Sequence, residues 1–176
     1  MNLTLQGFLR RNKLHKYFHF CKKCFDKGFS LRVCLVRRKT FSGKCFPIFS
    51  CLVGLNISAI GAAGFCWGAK VVVQLAMSEN IQAAVLLHLS FVSVDDFKEV
   101  EAPIAILGAE IDQLSPPELV KQFEEILSSK PEADSFVKIY LGVAHGWTVR
   151  YNVEDKKAVQ SAQEAHQDML NFFVCF

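Results

Sequence analysis

The chain has 176 residues, which is enough for one ordinary domain with a sizeable core. Its net charge of +3 conceals two opposite parts, because residues 1–56 carry 12 Lys and Arg against one acid, whereas residues 57–176 carry 8 against 16. Five of the seven cysteines lie in the basic part, and no secretory signal with a clear apolar core opens the sequence. These features argue against a secreted disulfide scaffold and predict free thiols in a reducing compartment, the cytoplasm.

The basic residues 1–56 are rich in Cys and Phe, and we expect this leader to be poorly ordered. Cys21 and Cys24 have the C-x-x-C spacing of a metal site, but one pair without a correctly spaced second pair is weak support for zinc. Aromatic side chains between the lysines leave base stacking open as an alternative. A solvated charge run is more common, so we expect no nucleic-acid partner.

A predicted strand near the end of the basic part is followed by a long stretch without charged residues. Hydrophobic alternation over residues 29–36 predicts a half-exposed strand. Residues 45–69 then contain no charged side chain, a length sufficient to cross a bilayer. The same stretch holds Pro47, Asn56 and several glycines, and a strand buried in a parallel sheet has the same apolar appearance. We therefore expect no stable membrane span.

From residue 57 onward, apolar strands alternate with amphipathic helices. The predicted strands are residues 57–63, 83–89, 102–107 and 135–141. The predicted helices are residues 67–77, 116–128 and 154–173, and the charged residues 92–101 are expected to form a connection. This alternation predicts an α/β fold in which a mostly parallel sheet has helices on both faces.

The two later helices carry local signals. Ser115 is the predicted N-cap of the second, with Pro116 at the first helical position and Glu118 three residues after the cap. One face of the last helix is predicted to be apolar, and it consists of Ala158, Ala162, Ala165, Met169 and Phe173.

The first strand and its helix are joined by Gly64-Phe65-Cys66-Trp67-Gly68, which predicts a tight turn with a cysteine at its apex. A nucleophile held in such a turn has a strained backbone, so the residues two before and two after it must be small. The dipole of the following helix favours a thiolate at Cys66. A buried cysteine without chemistry, beside a glycine-rich turn, is the alternative.

Two further residues follow strands at the same predicted edge. Asp112 lies in the loop after strand 102–107, and His145 lies in the loop after strand 135–141. The carboxyl ends of parallel strands meet at one edge, where the turn also presents Cys66. The sequence therefore predicts a triad in the order Cys66, Asp112, His145, which is the order and placement of an α/β-hydrolase.

Other residues compete for these roles. Glu110 lies two residues before Asp112, and His145 on its own is also compatible with a surface loop. His88 at a strand end and His166 on the last helix are expected to be structural, because neither follows a strand in the way that His145 does.

Three motifs resemble those of the dienelactone hydrolases, the cysteine branch of the α/β-hydrolase fold. GFCWGAK resembles their nucleophile turn, LGAEIDQLSPPE their acid loop and VAHGWTVRY their histidine loop. The residues of these motifs are most similar to those of plant members, some of which carry an endo-1,3;1,4-β-glucanase label. The resemblance covers residue 57 to about residue 173 and implies that residues 57–176 are the C-terminal part of an α/β-hydrolase domain.

The resemblance implies a role for each member of the triad. Cys66 would be the nucleophile, His145 the base and Asp112 its orienting acid. The implied reaction is hydrolysis of a small ester or lactone through a thioester intermediate, without a metal or cofactor. Glycoside hydrolysis normally needs paired carboxylates across the sugar bond, so the glucanase label fits poorly.

The resemblance also implies which residues bind substrate, namely Trp67, Trp147 and Arg150. The backbone N–H of Trp67 would be one oxyanion donor. Arg150 is similar to an arginine that receives a substrate carboxylate, a role that suits a planar, bidentate donor. The implied partner is therefore a small ester or lactone, with a carboxylate-bearing one as a specific option.

Residues 1–56 match none of the strands and helices that complete members of the family place before the turn. Those segments would supply neighbours for the first strand, a second oxyanion donor and a glutamate that contacts the thiol. We therefore expect a truncated or aberrantly spliced chain in which strand 57–63 is an exposed apolar edge. The alternative to a hydrolase is a weakly active or inactive chain with an interaction or regulatory role.

Overall fold

The computed structural model describes residues 18–20, 33–39, 57–131 and 133–176, in which six strands form one sheet. The strands lie side by side in chain order: β1 Phe18–Phe20, β2 Val33–Lys39, β3 Ile57–Phe65, β4 Ala83–Leu87, β5 Ile104–Ile111 and β6 Ser135–Ala144. β3 to β6 are mutually parallel, whereas β1–β2 and β2–β3 pair antiparallel. The predicted C-x-x-C zinc pair lies outside the described residues.

The four strands predicted after residue 56 are confirmed, and so is their parallel arrangement. β4 is buried at every position and β5 at its first six, because helices cover both faces of this part of the sheet. β3, β5 and β6 extend two to four residues beyond their predicted ends. β4, in contrast, ends at Leu87, two residues earlier than predicted.

The predicted exposed edge at β3 is wrong, because β2 pairs with β3 along most of its length. The register joins Val33 to Gly64 and Arg38 to Ala59, with an irregularity at the end of β2. The backbone groups of β3 are thus bonded on both sides. β2 overlaps the strand predicted at residues 29–36 only in its first half.

The described residues contain four helices: α1 Gly68–Leu75, α2 Val94–Lys98, α3 Pro117–Ser128 and α4 Lys156–Cys175. α2 replaces part of the predicted connection, and Asp96 fixes its start by accepting from the backbone N–H of Ser93 at 2.7 Å. α3 begins one residue later than predicted, since Pro116 rather than Ser115 is its N-cap. None of these helices combines the length and the apolar character that a bilayer span requires.

The core consists of two layers on opposite faces of the sheet, because neighbouring residues of a strand point to opposite sides. The first layer packs α1, α2 and α3 against the sheet and includes Val72, Val73, Leu86, Phe97, Ile106, Phe123 and Leu127. The second layer packs α4 against the other face and includes Phe65, Leu87, Leu107, Tyr140, Trp147, Met169 and Phe173. Four of the five residues on the predicted apolar face of α4 are buried, and Ala158 is half-buried.

Candidate active site

Cys66 lies at the apex of the predicted turn between β3 and α1. Its φ of 52° is in the left-handed region, which costs energy for a residue other than glycine. A β-carbon at Gly64 would lie 2.5 Å from the carbonyl oxygen of Gly68, so the strand and helix approach each other too closely for a side chain there. The Cys66 side chain is buried, with 7% of its surface exposed. The predicted strand–turn–helix is therefore confirmed.

Asp112 and His145 meet at the same edge of the sheet, because each follows the end of its strand directly. Nδ1 of His145 lies 2.7 Å from Oδ2 of Asp112, whose carboxylate is fully buried. The other carboxylate oxygen accepts from the backbone N–H of Leu114 at 2.9 Å. Ser115, the predicted helix cap, instead donates its hydroxyl to Asp112 at 3.3 Å. Four donors thus hold the carboxylate in one orientation.

The thiol of Cys66 is close to both imidazoles of this edge. Sγ of Cys66 and one ring nitrogen from each of His88 and His145 lie within 4.8 Å of one another. Sγ lies 3.2 Å from Nδ1 of His88. Among the described residues this is the set of His, Cys and acidic side chains that could hold a metal ion.

His88, which the sequence assigns a structural role, has a ring nitrogen in direct contact with the thiol. β4 ends at Leu87, so His88 is the first residue after its strand, with a φ of 36° that turns the ring towards Cys66. The sequence contains a signal that could have found it: a polar residue directly after the apolar strand that neighbours β3. The strand predicted as residues 83–89 hid this signal because it placed His88 inside the strand.

His88 is neutral and its tautomer follows from its contacts. Burial, together with the nearby His145 and Arg150, lowers the pKa of His88 far below its ordinary value. Nδ1 accepts from the backbone N–H of Cys66 at 3.3 Å. The proton is therefore on Nε2, which donates to the hydroxyl of Thr148 at 2.7 Å. The lone pair of Nδ1 consequently points at the turn that carries the thiol.

The three residues predicted to bind substrate occupy different environments. Nη2 of Arg150 lies 4.0 Å from Sγ of Cys66, and Arg150 is exposed. Trp67 is also exposed, at 40% of its surface. Trp147 is buried and packs edge-on against His88 at a ring distance of 5.2 Å. An open cleft of about 260 Å³ adjoins the site, and its lining includes His145, Trp147, Arg150, Tyr151 and Lys157.

Two other predicted alternatives lie away from the thiol. The Glu110 carboxylate accepts from the backbone N–H of Gly142 at 2.6 Å, so Asp112 is the acid that contacts His145. His166 is buried on α4, and its burial lowers its pKa to about 4, although a hydrogen bond with the backbone of Thr148 opposes the shift. His166 is therefore neutral at physiological pH, in agreement with a structural role.

Comparison with known proteins assigns most of the chain to one family. Residues 53–176, more than two-thirds of the chain, match the model of the dienelactone hydrolase family. The chain belongs to the dienelactone hydrolase family. The match begins near the predicted residue 57 and includes the turn, the acid loop and the histidine loop.

Two named relatives are similar to parts of the chain. An endo-1,3;1,4-beta-D-glucanase from Zea mays is 37% identical over 86 residues, which is 49% of this chain and 28% of the relative. A carboxymethylenebutenolidase homolog from Xenopus tropicalis is 28% identical over 124 residues, which is 68% of this chain and 50% of the relative. The chain thus spans half or less of the length of these relatives.

Solved structures support the fold. A provisionally named dienelactone hydrolase from Klebsiella pneumoniae superposes with a TM-score of 0.55 at 23% identity, covering 65% of this chain and 51% of the other. An acylaminoacyl peptidase from Pyrococcus horikoshii superposes with a TM-score of 0.54 at 13% identity, covering 64% and 23%. The parallel sheet with its covering helices is therefore that of an α/β-hydrolase.

Proposed function

We propose that this protein hydrolyses small esters or lactones, with Cys66 as nucleophile, His145 as general base and Asp112 as the acid that orients His145. One observation carries the proposal: a buried carboxylate holds Nδ1 of His145 at 2.7 Å, while a ring nitrogen of His145 lies within 4.8 Å of the thiol. With Nδ1 protonated against Asp112, Nε2 has the lone pair that accepts a proton.

The first half of the reaction forms a thioester. His145 takes the thiol proton, the sulfur of Cys66 attacks the carbonyl carbon, and the carbon–oxygen bond to the leaving group breaks. His145 returns the proton to the leaving alkoxide. The backbone N–H of Trp67, at the start of α1, is the proposed donor to the oxyanion, where the helix dipole adds to its effect.

The second half releases the acid. His145 deprotonates a water molecule, which attacks the thioester carbonyl, and the sulfur leaves as the thiolate. Proton transfer from His145 restores the thiol. Neither half needs a metal ion or an organic cofactor to balance.

A carboxylate-bearing substrate is the proposed preference. Arg150 and Lys157 both line the cleft beside His145, and the guanidinium of Arg150 lies 4.0 Å from the sulfur. A planar guanidinium binds a carboxylate with two parallel hydrogen bonds. An anionic ester would thus be held with its carbonyl near Cys66.

Glucan hydrolysis, the activity named for the maize relative, has less support. A glycosidase places two carboxylates on either side of the sugar bond. Asp112 is instead buried and bonded to His145, Leu114 and Ser115, which leaves it unavailable to a sugar. The proposed compartment remains the cytoplasm, where a reactive thiol stays reduced.

The experiment compares the rates of ester hydrolysis by the purified full-length chain and its variants. We expect turnover of p-nitrophenyl acetate to fall by at least about 1000-fold in Cys66→Ala and His145→Ala. Cys175→Ala is the matched control, because Cys175 is a free, exposed thiol on α4. Equal rates in the parent and both site variants would refute the proposal.

The same assay tests the substrate class. Arg150→Gln should lower the rate with an anionic half-ester, such as p-nitrophenyl hemisuccinate, by about 10–100-fold relative to the neutral acetate. An equal loss with both substrates would show that Arg150 has no role in charge recognition.

A further inference from the structure

We propose that the thiol of Cys66 and the imidazoles of His88 and His145 form a site that binds Zn²⁺ and thereby inhibits the enzyme. One thiol and two imidazoles form a ligand set that zinc favours. The three donor atoms already lie within 4.8 Å of one another, and two of them are 3.2 Å apart. A tetrahedral ion with bonds of about 2.0–2.3 Å needs donors roughly 3.3–3.6 Å apart. The pair at 3.2 Å would therefore open slightly, and donors at the 4.8 Å limit would close by roughly 1.2–1.5 Å, a change within reach of side-chain rotation.

Outer contacts prepare both imidazoles to bind a cation. Metal-bound histidines almost always donate their other ring N–H to a carboxylate, carbonyl or similar acceptor. His145 has such a contact from Nδ1 to Asp112, and His88 has one from Nε2 to Thr148. The remaining nitrogens are Nδ1 of His88 and Nε2 of His145. Nδ1 of His88 accepts from the backbone N–H of Cys66 at 3.3 Å and would exchange that hydrogen bond for the metal, and Nε2 of His145 lies 3.5 Å from the hydroxyl of Ser90. The outer contacts to Asp112 and Thr148 are an observation independent of the donor distances.

The surroundings favour zinc over a harder cation. The contact from His88 to Cys66 is buried, so these two donors are shielded from water. A soft sulfur and two neutral nitrogens bind Mg²⁺ poorly, since Mg²⁺ prefers oxygen ligands. Arg150 lies 4.0 Å from the sulfur and opposes a cation, so its exposed side chain would have to turn away from the sulfur when zinc binds.

Bound zinc would stop the proposed reaction reversibly. The sulfur would share its electron pair with the metal, and its proton would be released to solvent. Nε2 of His145 would be occupied and could accept no proton. A chelator would restore the free thiol and the base together. The inhibition rests on the proposed function, whereas zinc binding itself requires no ester turnover and is tested separately below.

A protection experiment on the parent protein gives the direct test. The full-length chain is treated with iodoacetamide, and alkylation of Cys66 and Cys175 is followed separately by peptide mass spectrometry. With Zn²⁺ at ten times its dissociation constant, alkylation of Cys66 should slow by about tenfold, whereas Cys175 and a Mg²⁺ control should show no change. An unchanged Cys66 rate in saturating Zn²⁺ would overturn the proposal.

Cobalt substitution then identifies the ligands. Co²⁺ bound to a thiolate gives a charge-transfer band, and residues 1–56 contain further cysteines, so the band is compared between variants rather than taken alone. His88→Asn and Cys66→Ser should each lose one equivalent of the band, and Cys175→Ser should lose none. Equal bands in all three variants would contradict the assignment. If a variant fails to fold by circular dichroism, the protection result on the parent decides.

Discussion

The two core layers on either side of the sheet differ in chemistry although they share the same strands. The first layer, under α1, α2 and α3, is built from aliphatic and phenyl side chains. The second layer, under α4, contains Tyr140 and Trp147 and borders the buried His88, Thr148 and His166. A polar path therefore runs through the second side, from His166 by way of Thr148 and His88 to the thiol.

The difference separates a side of the sheet that is wholly apolar from a side that carries buried polar groups next to the candidate site. An apolar layer gains stability from burial alone and does not depend on pH. Buried histidines cost solvation when charged, so they tie folding to their neutral form. We therefore expect substitutions in the first layer to change the free energy of unfolding uniformly and those in the second to change its dependence on pH.

The largest effect should come from truncating the first layer. Phe123 is fully buried and packs against Phe97 with ring centroids 4.4 Å apart. Phe123→Ala should lower the free energy of unfolding by about 3–5 kcal/mol, measured by urea denaturation. The loss should be the same at pH 5 and pH 8. A pH-dependent loss would erase the distinction between the layers.

A pair of glycines in β3 tests the same contrast on a smaller scale. A β-carbon at Gly64 would meet the backbone of α1 at 2.5 Å, whereas one at Gly61 would meet the Phe173 ring of α4 at 2.6 Å. The backbone of α1 cannot move aside, whereas the Phe173 ring, near the end of α4, can rotate or shift. Gly64→Ala should therefore cost about 3 kcal/mol and Gly61→Ala about 1 kcal/mol in thermal unfolding. Equal costs would mean that α4 is as rigid as α1.

The buried His166, which borders the second layer, should lower the free energy of unfolding in acid. The pKa of His166 is about 4 in the folded protein, below the ordinary 6.5, so the unfolded chain binds the proton more tightly between these values. Stability is complete above about pH 6.5 and falls towards pH 4, by up to about 1.4 kcal/mol per pH unit for this group. His166→Asn should reduce the number of protons taken up on unfolding at pH 5 by about one. An unchanged proton uptake would show that His166 is charged when folded.

The smallest effect should come from charges that border the first layer. Lys70 on α1 donates to both oxygens of Asp96 on α2 at 2.7 Å. Burial alone would raise the pKa of Asp96, but the hydrogen bonds from Lys70 and Ser93 lower it overall. Asp96→Asn should cost about 1 kcal/mol by urea denaturation at neutral pH. Asp95→Asn, which breaks an exposed pair with Lys98, is the matched control and should leave the midpoint unchanged.

Much of the fold could be predicted because its signals are local. Apolar runs gave the four parallel strands, and the spacing of small apolar residues gave the inner face of α4. The cap of α3 was misplaced because Ser115 had two available partners, and the buried Asp112 took its hydroxyl. No local rule decides between a helix end and a charged side chain that folding brings to the same point.

The candidate site was predictable only in part, for a similar reason. Asp112 and His145 were found because loops after parallel strands share an edge. His88 was missed because a lone histidine in an apolar segment has no periodicity of its own. Its contact with Cys66 depends on the residue at which β4 ends, and strand ends are the least certain part of a sequence-based prediction. The pairing of β2 with β3 was missed because it joins distant segments.

The absence of a side chain at Gly146 bears on the substrate preference proposed for Arg150. With φ at +88°, this glycine lets the guanidinium of Arg150 lie across it, and a β-carbon there would lie 2.6 Å from Nη2. The backbone N–H of Arg150 also bonds to the carbonyl of Gly146, at 2.9 Å. The short loop that carries His145 therefore also positions the guanidinium of Arg150. Under the proposed function, an added methyl group at residue 146 would displace the Arg150 guanidinium and so change the preference for anionic esters, without touching Cys66 directly.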